Sequence, residues 1–518
     1  MATERDALVR SYAEVRYPFL AHRHTDPDRL ATIARLHGIV APPVDRCRLL
    51  EVGCAVGGNL ASMAMLLPGA KLVGCDLSEQ QIEHGRAAMA AAGIANVSLC
   101  ALDLSEVGTS LGTFDYIVAH GVFSWVSEGV QDDLLTLLAR SLTPNGVAYL
   151  SYNVRPGWHE LSVIRDALMF DLRGVDEPRA RVERAREYLA WFVGAMRDGS
   201  RYSPGFLAEI EAVRALDDRN LLHEYLGPFN VPTHFNKLVA RAAHHGLTYL
   251  CDAEPALSAD HSLTAEGRLA RDRSPTELVF AEQHYDFLTN HRFRRSLFCR
   301  RGASLTRTID ARAVDALWVS SRGQRLGSSD DLAGPEPFTF STPQSELTTA
   351  RPVMKAALLH LASVAPRALP FPELCEAVRA RLGAASLSDV EVNALRDDLV
   401  QAFLTSIGMV TLRTHPAPCV GEPGERPIAT AWSRHLATEA DRVPSLDHDM
   451  VRVDDIMRKI LPLLDGTRDR AALESELMAM VARSEVIVRM PDGRPGKPAP
   501  GAMSRALEAL ARSALLVG

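Results

Sequence analysis

The sequence predicts an α/β protein in which a doubly wound sheet with a helical insertion is followed by mainly helical, winged-helix-like C-terminal domains. Three observations predict this. Apolar strand-like runs alternate with helical patterns between residues 47 and 153, which is typical of a parallel sheet covered by helices. The chain has 518 residues, whereas a single hydrophobic core stops growing at about 250–300 residues. A polar stretch over 304–349 then separates this part from the later helical patterns.

The segment HTDPDRLATIARLHG predicts a helix close to the N-terminus. Thr25 is followed three residues later by Asp28, apolar residues recur at helical spacing, and Gly38 closes the pattern. A hydroxyl residue followed at this distance by an acid is typical of a helix start. We therefore expect Thr25 to cap this helix.

Short apolar runs with strand character follow: RLLEVGC, KLVGCDL, VSLCALD, FDYIVAHG and GVAYLSYN. Continuous apolar runs indicate strands that helices cover on both faces. From about residue 158 to residue 230 the pattern is helical and charged, which predicts an insertion over the sheet. Two later runs, LTYLCDAE and SLFCRRG, are expected to complete the sheet.

Composition divides the chain into four parts. The sheet domain is expected to span residues 1–303, and the polar stretch 304–349, with GSSDD and GPEP, to be a linker. Over 350–425, three helical patterns precede one strand-like run, which predicts a winged-helix-like domain. Residues 426–518 predict a further helical domain.

Composition also argues against several functional classes. The net charge of −7 provides no basic field to hold nucleic acid, so no nucleic-acid partner is expected. The charged N-terminus and the lack of about 18 unbroken apolar residues predict no signal peptide or membrane insertion, and hence a cytoplasmic protein. The eight cysteines lack CxxC spacing and HExxH is absent. We therefore expect reduced thiols and no metal site.

A glycine-rich loop after the first strand predicts a cofactor site. LLEVGC runs into AVGGN and then into a helix, so glycines stand where backbone can approach a ligand without a Cβ. The dinucleotide pattern GxGxxG is absent, and the spacing from Glu51 to Gly57 is E-x-G-x-x-x-G. This favours S-adenosylmethionine over a nicotinamide cofactor, because no pyrophosphate has to be bound and the ligand carries an ammonium group.

Two further acids follow the next two strands. Asp76 is placed to accept hydrogen bonds from both ribose hydroxyls, and Asp103 from the adenine amino group, with the Leu104 amide meeting a ring nitrogen. A helix cap is the alternative for each acid taken alone, and Ser78 with Gln81 predicts a capping box. Three acids at the ends of successive strands together favour one ligand. The residues expected at the cofactor are Glu51, Gly53, Cys54, Ala55, Gly57, Asn59, Asp76, Leu77, Gln81, Asp103, Leu104 and His120.

The acceptor is expected at the end of the fourth strand, in AHGVFSWV. Methyl transfer from a sulfonium needs alignment of the nucleophile rather than a covalent residue. His120 is a candidate to contact the cofactor or accept a proton, and Phe123 and Trp125 to line the acceptor channel, since aromatic faces attract a cation. Packing after a strand is the equal alternative for both aromatics. Further candidates, each with a structural role as the alternative, are Tyr12, Tyr17, Trp158 and His159.

Several segments together resemble bacterial protein lysine methyltransferases with a methyltransferase regulatory domain: YAEVRYP, HTDPDRLATIARLHG, CRLLEVGCAVGGNL, GCDLSEQQI, FDYIVAHGVFSWV, PNGVAYLSYNVRPGWH and HEYLGPFNVPTHF. The resemblance covers about residues 11–303. It implies a class I (Rossmann-like) methyltransferase fold, a regulatory segment over about 220–303, S-adenosylmethionine, and protein lysine side chains as acceptors. The positions that match the family's cofactor motifs are Glu51, Gly53, Gly57, Asp76, Asp103 and His120.

Two positions depart from the family pattern. Val56 stands where a serine is frequent, and Phe123 where a tyrosine is frequent. The second departure removes a hydroxyl that can orient an amine, so the acceptor is less well defined than the cofactor. The hypothesis is a methyltransferase that acts on lysine side chains of a protein and grips it with its C-terminal domains. The alternatives are a small-molecule methyltransferase and a cofactor-binding regulatory protein without turnover.

Overall fold

A computed structural model gives the fold of the chain. It describes residues 17–104, 111–195, 202–255, 278–328, 331–486, 488–489, 495–496 and 501–518. Tyr12, a predicted acceptor-side residue, lies outside the described residues.

Seven strands form the main sheet: β1 (Arg48–Val52), β2 (Lys71–Asp76), β3 (Val97–Ala101), β4 (Phe114–Ala119), β5 (Leu142–Asn153), β6 (Leu247–Asp252) and β7 (Phe293–Arg300). Their order is β3-β2-β1-β4-β5-β7-β6. The first five pair in parallel, and β7 runs antiparallel to both of its neighbours. The predicted α/β sheet is confirmed. Its strand order reverses between β1 and β4, where open sheets of this kind bind ligands.

The helices of this part of the chain are α1 (Pro27–Leu36), α2 (Gly58–Leu66), α3 (Glu79–Ala91), α4 (Glu128–Ser141), α5 (Trp158–Asp171), α6 (Pro178–Ala195), α7 (Pro204–Arg214), α8 (Phe235–His244) and α9 (Leu278–Thr289). Helices cover both faces of the sheet, whereas α5, α6 and α7 belong to the insertion. Successive residues of a strand face opposite sides. Leu49 therefore joins a core with Leu60 of α2, whereas Leu50 joins a second core with Leu134 of α4. Burial on both faces explains the unbroken apolar runs in the sequence.

The start of helix α1 differs from the prediction. Its cap is Asp26, whose carboxylate accepts a hydrogen bond from the Asp28 amide, and Pro27 occupies the first turn. Proline is favoured there because the first amides of a helix have no partner within the helix. Thr25 instead belongs to a short 3-10 turn and donates its hydroxyl to the His22 carbonyl. The expected cap at Thr25 was therefore wrong by one residue.

The predicted helical insertion is present. After α7, the chain continues through Asp218–Asn220 into a π-helix, Leu221–Tyr225. The insertion has a core of its own, in which Trp158, Leu189 and Ile210 are buried. This separate core lets the insertion form one wall of a cleft above the sheet.

The polar stretch predicted as a linker over 304–349 folds instead. It contains strands β8 (Trp318–Ser321), β9 (Gln324–Leu326), β10 (Phe338–Ser341) and β11 (Glu346–Thr349). β8 is buried over most of its length, and β10 alternates buried with half-buried residues. Each strand is only three or four residues long, so the apolar pattern was too short to stand out against polar neighbours.

Helices also fill the C-terminal part, together with short strands. The helices are α10 (Pro352–Val364), α11 (Phe371–Leu382), α12 (Asp389–Thr405), α13 (Ala431–Leu436), α14 (Asp455–Ile460), α15 (Arg470–Ala482) and α16 (Ala502–Arg512). The strands are β12 (Leu369–Pro370), β13 (Val410–Arg413), β14 (Ile428–Ala429), β15 (Arg442–Pro444), β16 (Met450–Arg452), β17 (Val488–Arg489), β18 (Pro495–Gly496) and β19 (Leu516–Val517). Three helices and β13 follow one another over 350–425 as predicted, and β8 joins them between β12 and β13.

A buried charge cluster joins the C-terminal part to the sheet domain. The guanidinium of Arg413 lies 3.4 Å from the Asp26 carboxylate, 3.5 Å from Asp28 and 3.3 Å from Asp447. Asp28 also accepts a hydrogen bond from the Thr414 amide. Asp26 and Asp28 at the start of α1 face the buried Arg413 and fix the position of β13 against α1, because separation would leave buried charges uncompensated.

None of the helices in the described part of the chain is both long enough and apolar enough to cross a membrane.

Candidate functional site

A cavity of about 1220 Å³ opens at the carboxyl ends of β1, β2 and β4. Sites for single small molecules usually measure roughly 300–1,000 Å³, so this cavity has room for a cofactor and a second substrate. Residues of the sheet and its loops line one part of it, the cofactor end, and residues of the insertion line another, the acceptor end. The segment before α1 lines the cavity as well.

The loop between β1 and α2 forms the floor of the cofactor end. Gly53 and Gly57 have φ angles of 68° and 72°, and Ala55 has a φ of 47°. A Cβ on Gly53 would lie 2.3 Å from Val122 Cγ2, so no larger residue fits there. The loop therefore needs glycine both for its left-handed backbone and for close packing. The predicted glycine loop is present at the cavity. Gly57 itself does not line the cavity, contrary to the prediction, because the side on which its Cβ would stand faces Met89 and Leu99.

Glu51 is the buried acid at the end of β1. Its Oε1 accepts a hydrogen bond of 2.7 Å from Asn59, and its Oε2 is buried without a hydrogen-bond partner among the described residues. Burial raises the pKa of Glu51 to about 8. A cation at Oε2 would stabilise the charged form. The ammonium group of an amino acid is such a cation, so this carboxyl fits the predicted ligand.

The side-chain amide of Asn59 is hydrogen-bonded to the protein and orients Glu51. Its Nδ2 donates to Glu51, and its Oδ1 accepts from the His22 amide at 2.9 Å. His448 Nε2 lies 2.8 Å from the same Oδ1. The side chain lines the cavity, and its polar atoms are engaged on the protein side. Asn59 was predicted to contact the cofactor, whereas the structure indicates that it positions Glu51.

Asp76 ends β2 with both carboxylate oxygens held by backbone. Oδ2 accepts from the Ala55 amide at 2.8 Å and Oδ1 from the Ser78 amide at 2.9 Å. Burial is the largest influence and raises the pKa of Asp76, while these amide hydrogen bonds oppose it. Each carboxylate oxygen can accept a second hydrogen bond. A pair of adjacent hydroxyls, as on a ribose, matches the two remaining acceptor positions.

Other predicted cofactor residues also line the cavity: Gly53, Cys54, Ala55, Leu77, Gln81, Asp103, Leu104 and His120. Gln81 differs from its predicted role as half of a capping box. Ser78 caps α3 by accepting from the Gln81 amide, whereas the Gln81 Oε1 is buried without a hydrogen-bond partner among the described residues. The Gln81 side chain is thus available to a ligand.

His120 follows β4 and belongs to a group of aromatic side chains. Its Nδ1 lies 3.0 Å from the Tyr149 hydroxyl. Its ring centroid is 4.3 Å from that of His22 and 6.2 Å from that of Phe293. Burial, together with the charges of His22 and Arg295, lowers the pKa of His120 well below its usual value. The imidazole is therefore neutral at pH 7.

The prediction that Phe123 lines the acceptor channel was wrong. Phe123 is fully buried in the second core, packs edge-on against Tyr152 and does not line the cavity. The 3-10 turn Phe123–Trp125 explains the difference, because it directs neighbouring side chains to different sides. Trp125 lines the cavity and packs against Trp158 at 6.3 Å between centroids.

Of the remaining acceptor-side candidates, two line the cavity and one does not. Tyr17 and Trp158 line the cavity, and the ring of Tyr17 lies 5.2 Å from that of His223. His159 is exposed and does not line the cavity, in agreement with the structural alternative.

Several cavity-lining residues were not singled out from the sequence, among them His22, His223, Glu224, Tyr225, Arg292 and Phe293. Three of them lie on the π-helix, and such a segment is frequent at functional sites. The segment HEYLGPFNVPTHF contributed to the family resemblance. The segment contains no catalytic motif, so its sequence alone did not indicate a functional role for its first three residues.

Three protein families match separate parts of this chain. A methyltransferase domain matches residues 50–148, a predicted methyltransferase regulatory domain residues 217–300, and a PKMT C-terminal winged helix domain residues 425–515. The last match falls on the block 426–518, which was predicted as a helical domain, whereas the winged-helix-like domain was predicted over 350–425.

Two proteins of Rickettsia prowazekii are similar to this chain. RP789 is 28% identical over 484 residues, which cover 92% of this chain and 87% of that protein. RP028 is 38% identical over 233 residues, which cover 45% of this chain and 93% of that protein. The structure of PKMT2 from Rickettsia typhi, also determined in complex with AdoHcy, matches with a TM-score of 0.84. That match has 27–28% identity and covers 97% of this chain and 100% of the other.

Proposed function

We propose that this protein methylates lysine side chains of a protein substrate. The chain belongs to the bacterial family of class I methyltransferases that carry a regulatory domain and a PKMT winged-helix domain. S-adenosylmethionine is the cofactor. When bound, it supplies an electrophilic methyl group on a sulfonium. The work left to the protein is to hold that group in place and to present a neutral amine in line with it.

The cofactor end supports this assignment through the chemistry of its side chains. Glu51 offers an unpaired buried carboxylate oxygen, which suits an ammonium group. Asp76 offers two acceptor positions fixed by the Ala55 and Ser78 amides. Asp103 and Leu104 line the cavity beyond the end of β3, where the sequence places the adenine.

The observation that carries the proposal of a lysine acceptor is the composition of the other end of the cavity. Tyr17, Trp125, Trp158 and Tyr225 present aromatic surface there, and Glu224 is the acid among them. Aromatic faces attract an ammonium group and accommodate the aliphatic stem of a lysine. Such an aromatic wall beside the Glu224 carboxylate suits a long cationic side chain, and Asp133 and Arg292 line the cavity as well.

Glu224 is the candidate acceptor for the proton that lysine must lose. An ordinary lysine has a pKa of about 10.4, so its amine is protonated at neutral pH and has no free electron pair. Partial burial is the largest cause that raises the pKa of Glu224, and the negative charge of Asp217 raises it further. A carboxylate with a raised pKa is a stronger base, and the aromatic wall disfavours the charged amine by desolvation.

The C-terminal domain supports the cofactor loop, which fits a role in coupling protein binding to the site. Trp432 of α13 packs edge-on against Phe19 at 5.0 Å between centroids. The backbone of Phe19 lies 2.7 Å from where a Cβ on Gly58 would be. A contact chain thus runs from α13 through the N-terminal segment to the glycine loop.

Methyl-labelled S-adenosylmethionine tests the proposal directly. The purified enzyme is added to an extract of a strain that lacks it, and labelled protein is hydrolysed for amino-acid analysis. Methylated lysine that appears with the enzyme, and stays at background with an Asp76→Ala variant, is the expected result. Label found only in small molecules, or in protein as base-labile esters, would contradict a lysine acceptor.

A further inference from the structure

Three histidines meet beside the cofactor cavity although the sequence has no metal motif. His22 and His24 come from the segment before α1, and His120 from the end of β4. One ring nitrogen of each lies within 4.8 Å of those of the other two. The ring centroids are 4.3 Å apart for His22 and His120, and 5.1 Å apart for His24 and His120.

The hydrogen bonds of this cluster leave ring nitrogens available. His24 Nε2 is buried and has no hydrogen-bond partner among the described residues. His120 Nδ1 lies 3.0 Å from the Tyr149 hydroxyl, so a proton on Nδ1 leaves the Nε2 lone pair free. Metal-binding histidines are typically oriented in this manner, by a hydrogen bond from the nitrogen that does not bind the metal. A buried unpaired nitrogen otherwise costs free energy.

The charges around the cluster define which ion it suits. Burial is the largest cause that lowers the pKa of all three histidines, and the charge of Arg295 adds to it in each case. The cluster itself contains imidazoles without a carboxylate, and imidazole ligands favour Zn²⁺ and its transition-metal neighbours over Mg²⁺ or Ca²⁺. The nearby guanidinium opposes a cation, so the affinity is expected to be moderate.

We propose that His22, His24 and His120 form a binding site for one divalent transition-metal ion, with Zn²⁺ as the best fit, at the edge of the cofactor cavity. Three histidines with an open fourth position are a known zinc ligand set. His22 and His120 also line the cavity, so the open position faces it. Zn–N bonds of about 2.1 Å place ligand nitrogens about 3.4 Å apart. Rotation of the imidazole rings closes the remaining difference.

The test measures metal binding by the full-length chain, independently of methyl transfer. Protein freed of metal by a chelator is titrated with Zn²⁺, and separately with Co²⁺, whose visible spectrum reports nitrogen coordination. We expect one equivalent to bind. A His24→Ala variant should bind at least about 100-fold more weakly, because ligand loss exceeds the 10–100-fold effect of second-layer partners. The matched control is His244→Ala, on the exposed surface of α8, which should bind as the unmodified chain does.

Two results would overturn the site. Equal Zn²⁺ affinity in the His24→Ala and His244→Ala variants would show that any bound zinc lies elsewhere. The Co²⁺ spectrum of the unmodified chain decides the question even if His24→Ala fails to fold, because a spectrum that matches free aqueous Co²⁺ excludes a histidine site. Neither result bears on the lysine acceptor, since no step of methyl transfer depends on the metal.

Discussion

The two ends of the cavity are built in different ways. At the cofactor end, Glu51, Asp76 and Asp103 stand at the ends of three successive strands and within about fifty residues of sequence. At the acceptor end, Tyr17 comes from the N-terminal segment, Trp125 from the turn after β4, and Glu224 from the π-helix of the insertion. The first end is a local consequence of the parallel sheet, whereas the second exists only after distant segments have packed together.

This difference implies that the two ends can be altered separately. Backbone amides of Ala55 and Ser78, in the loops directly after β1 and β2, hold Asp76. The acceptor end depends on the insertion, which has its own core around Trp158, Leu189 and Ile210. Substitutions at one end should therefore change the binding of one substrate and leave the other nearly unaffected. The predictions below test this separation.

The largest effect is expected for Asp76→Ala at the cofactor end. Two hydrogen bonds to a charged group contribute about 1.5–3 kcal/mol each, and about 1.4 kcal/mol corresponds to a factor of ten in affinity. The affinity for S-adenosylmethionine, measured by calorimetry, should fall at least about 100-fold. Glu83→Ala, at an exposed position of α3, is the control. An unchanged affinity for the Asp76 variant would mean that this carboxylate does not hold the ribose.

Glu224→Gln, at the acceptor end, should impair methyl transfer and leave cofactor binding unchanged. The cofactor affinity should stay the same, while kcat falls about 100-fold, the lower part of the range for loss of a general base. The rate should also recover partly at higher pH, where more lysine is neutral in solution. Glu211→Gln, exposed on α7, should retain full activity. A lower cofactor affinity in the Glu224 variant would show that the two ends are not separate.

A smaller effect is expected from Glu51, whose carboxyl has a pKa raised by burial from 4.5 to about 8. The folded protein then binds more protons than the unfolded chain between these values, so stability should fall as the pH rises from about 5 to 8. A Glu51→Gln variant should lose much of this dependence. Thermal unfolding of both proteins without cofactor, across this pH range, measures the difference. Parallel pH profiles would contradict the raised pKa of this buried carboxyl.

The smallest effect on catalysis is expected for Phe123→Tyr, which restores the tyrosine frequent in the family. Phe123 is fully buried away from the cavity, so kcat and KM for the acceptor should stay within about twofold. A hydroxyl without a partner there costs about 1–3 kcal/mol, which should lower Tm by several degrees. A clear change in acceptor KM at unchanged Tm would instead place this residue in the channel.

Prediction from the sequence succeeded where neighbours in sequence are neighbours in space. The alternating runs predicted the sheet correctly. Of the residues from Glu51 to Leu104 that were expected at the cofactor, all but Gly57 line the cavity. Prediction failed where a turn set the direction of a side chain or where a secondary-structure element was very short. Phe123 turned into the core, Asp26 replaced Thr25 as the helix cap, and the polar stretch over 304–349 proved to contain strands.

By itself, the sequence determined the sheet and the cofactor end of this protein, because strand ends and glycine spacing are local properties of the chain. Only the tertiary structure decided the acceptor end and the histidine cluster. His22 and His120 are almost a hundred residues apart, and Glu224 is a further hundred away, yet all three line one cavity. Their meeting depends on packing between the insertion, the N-terminal segment and the sheet, and no spacing along the chain encodes it.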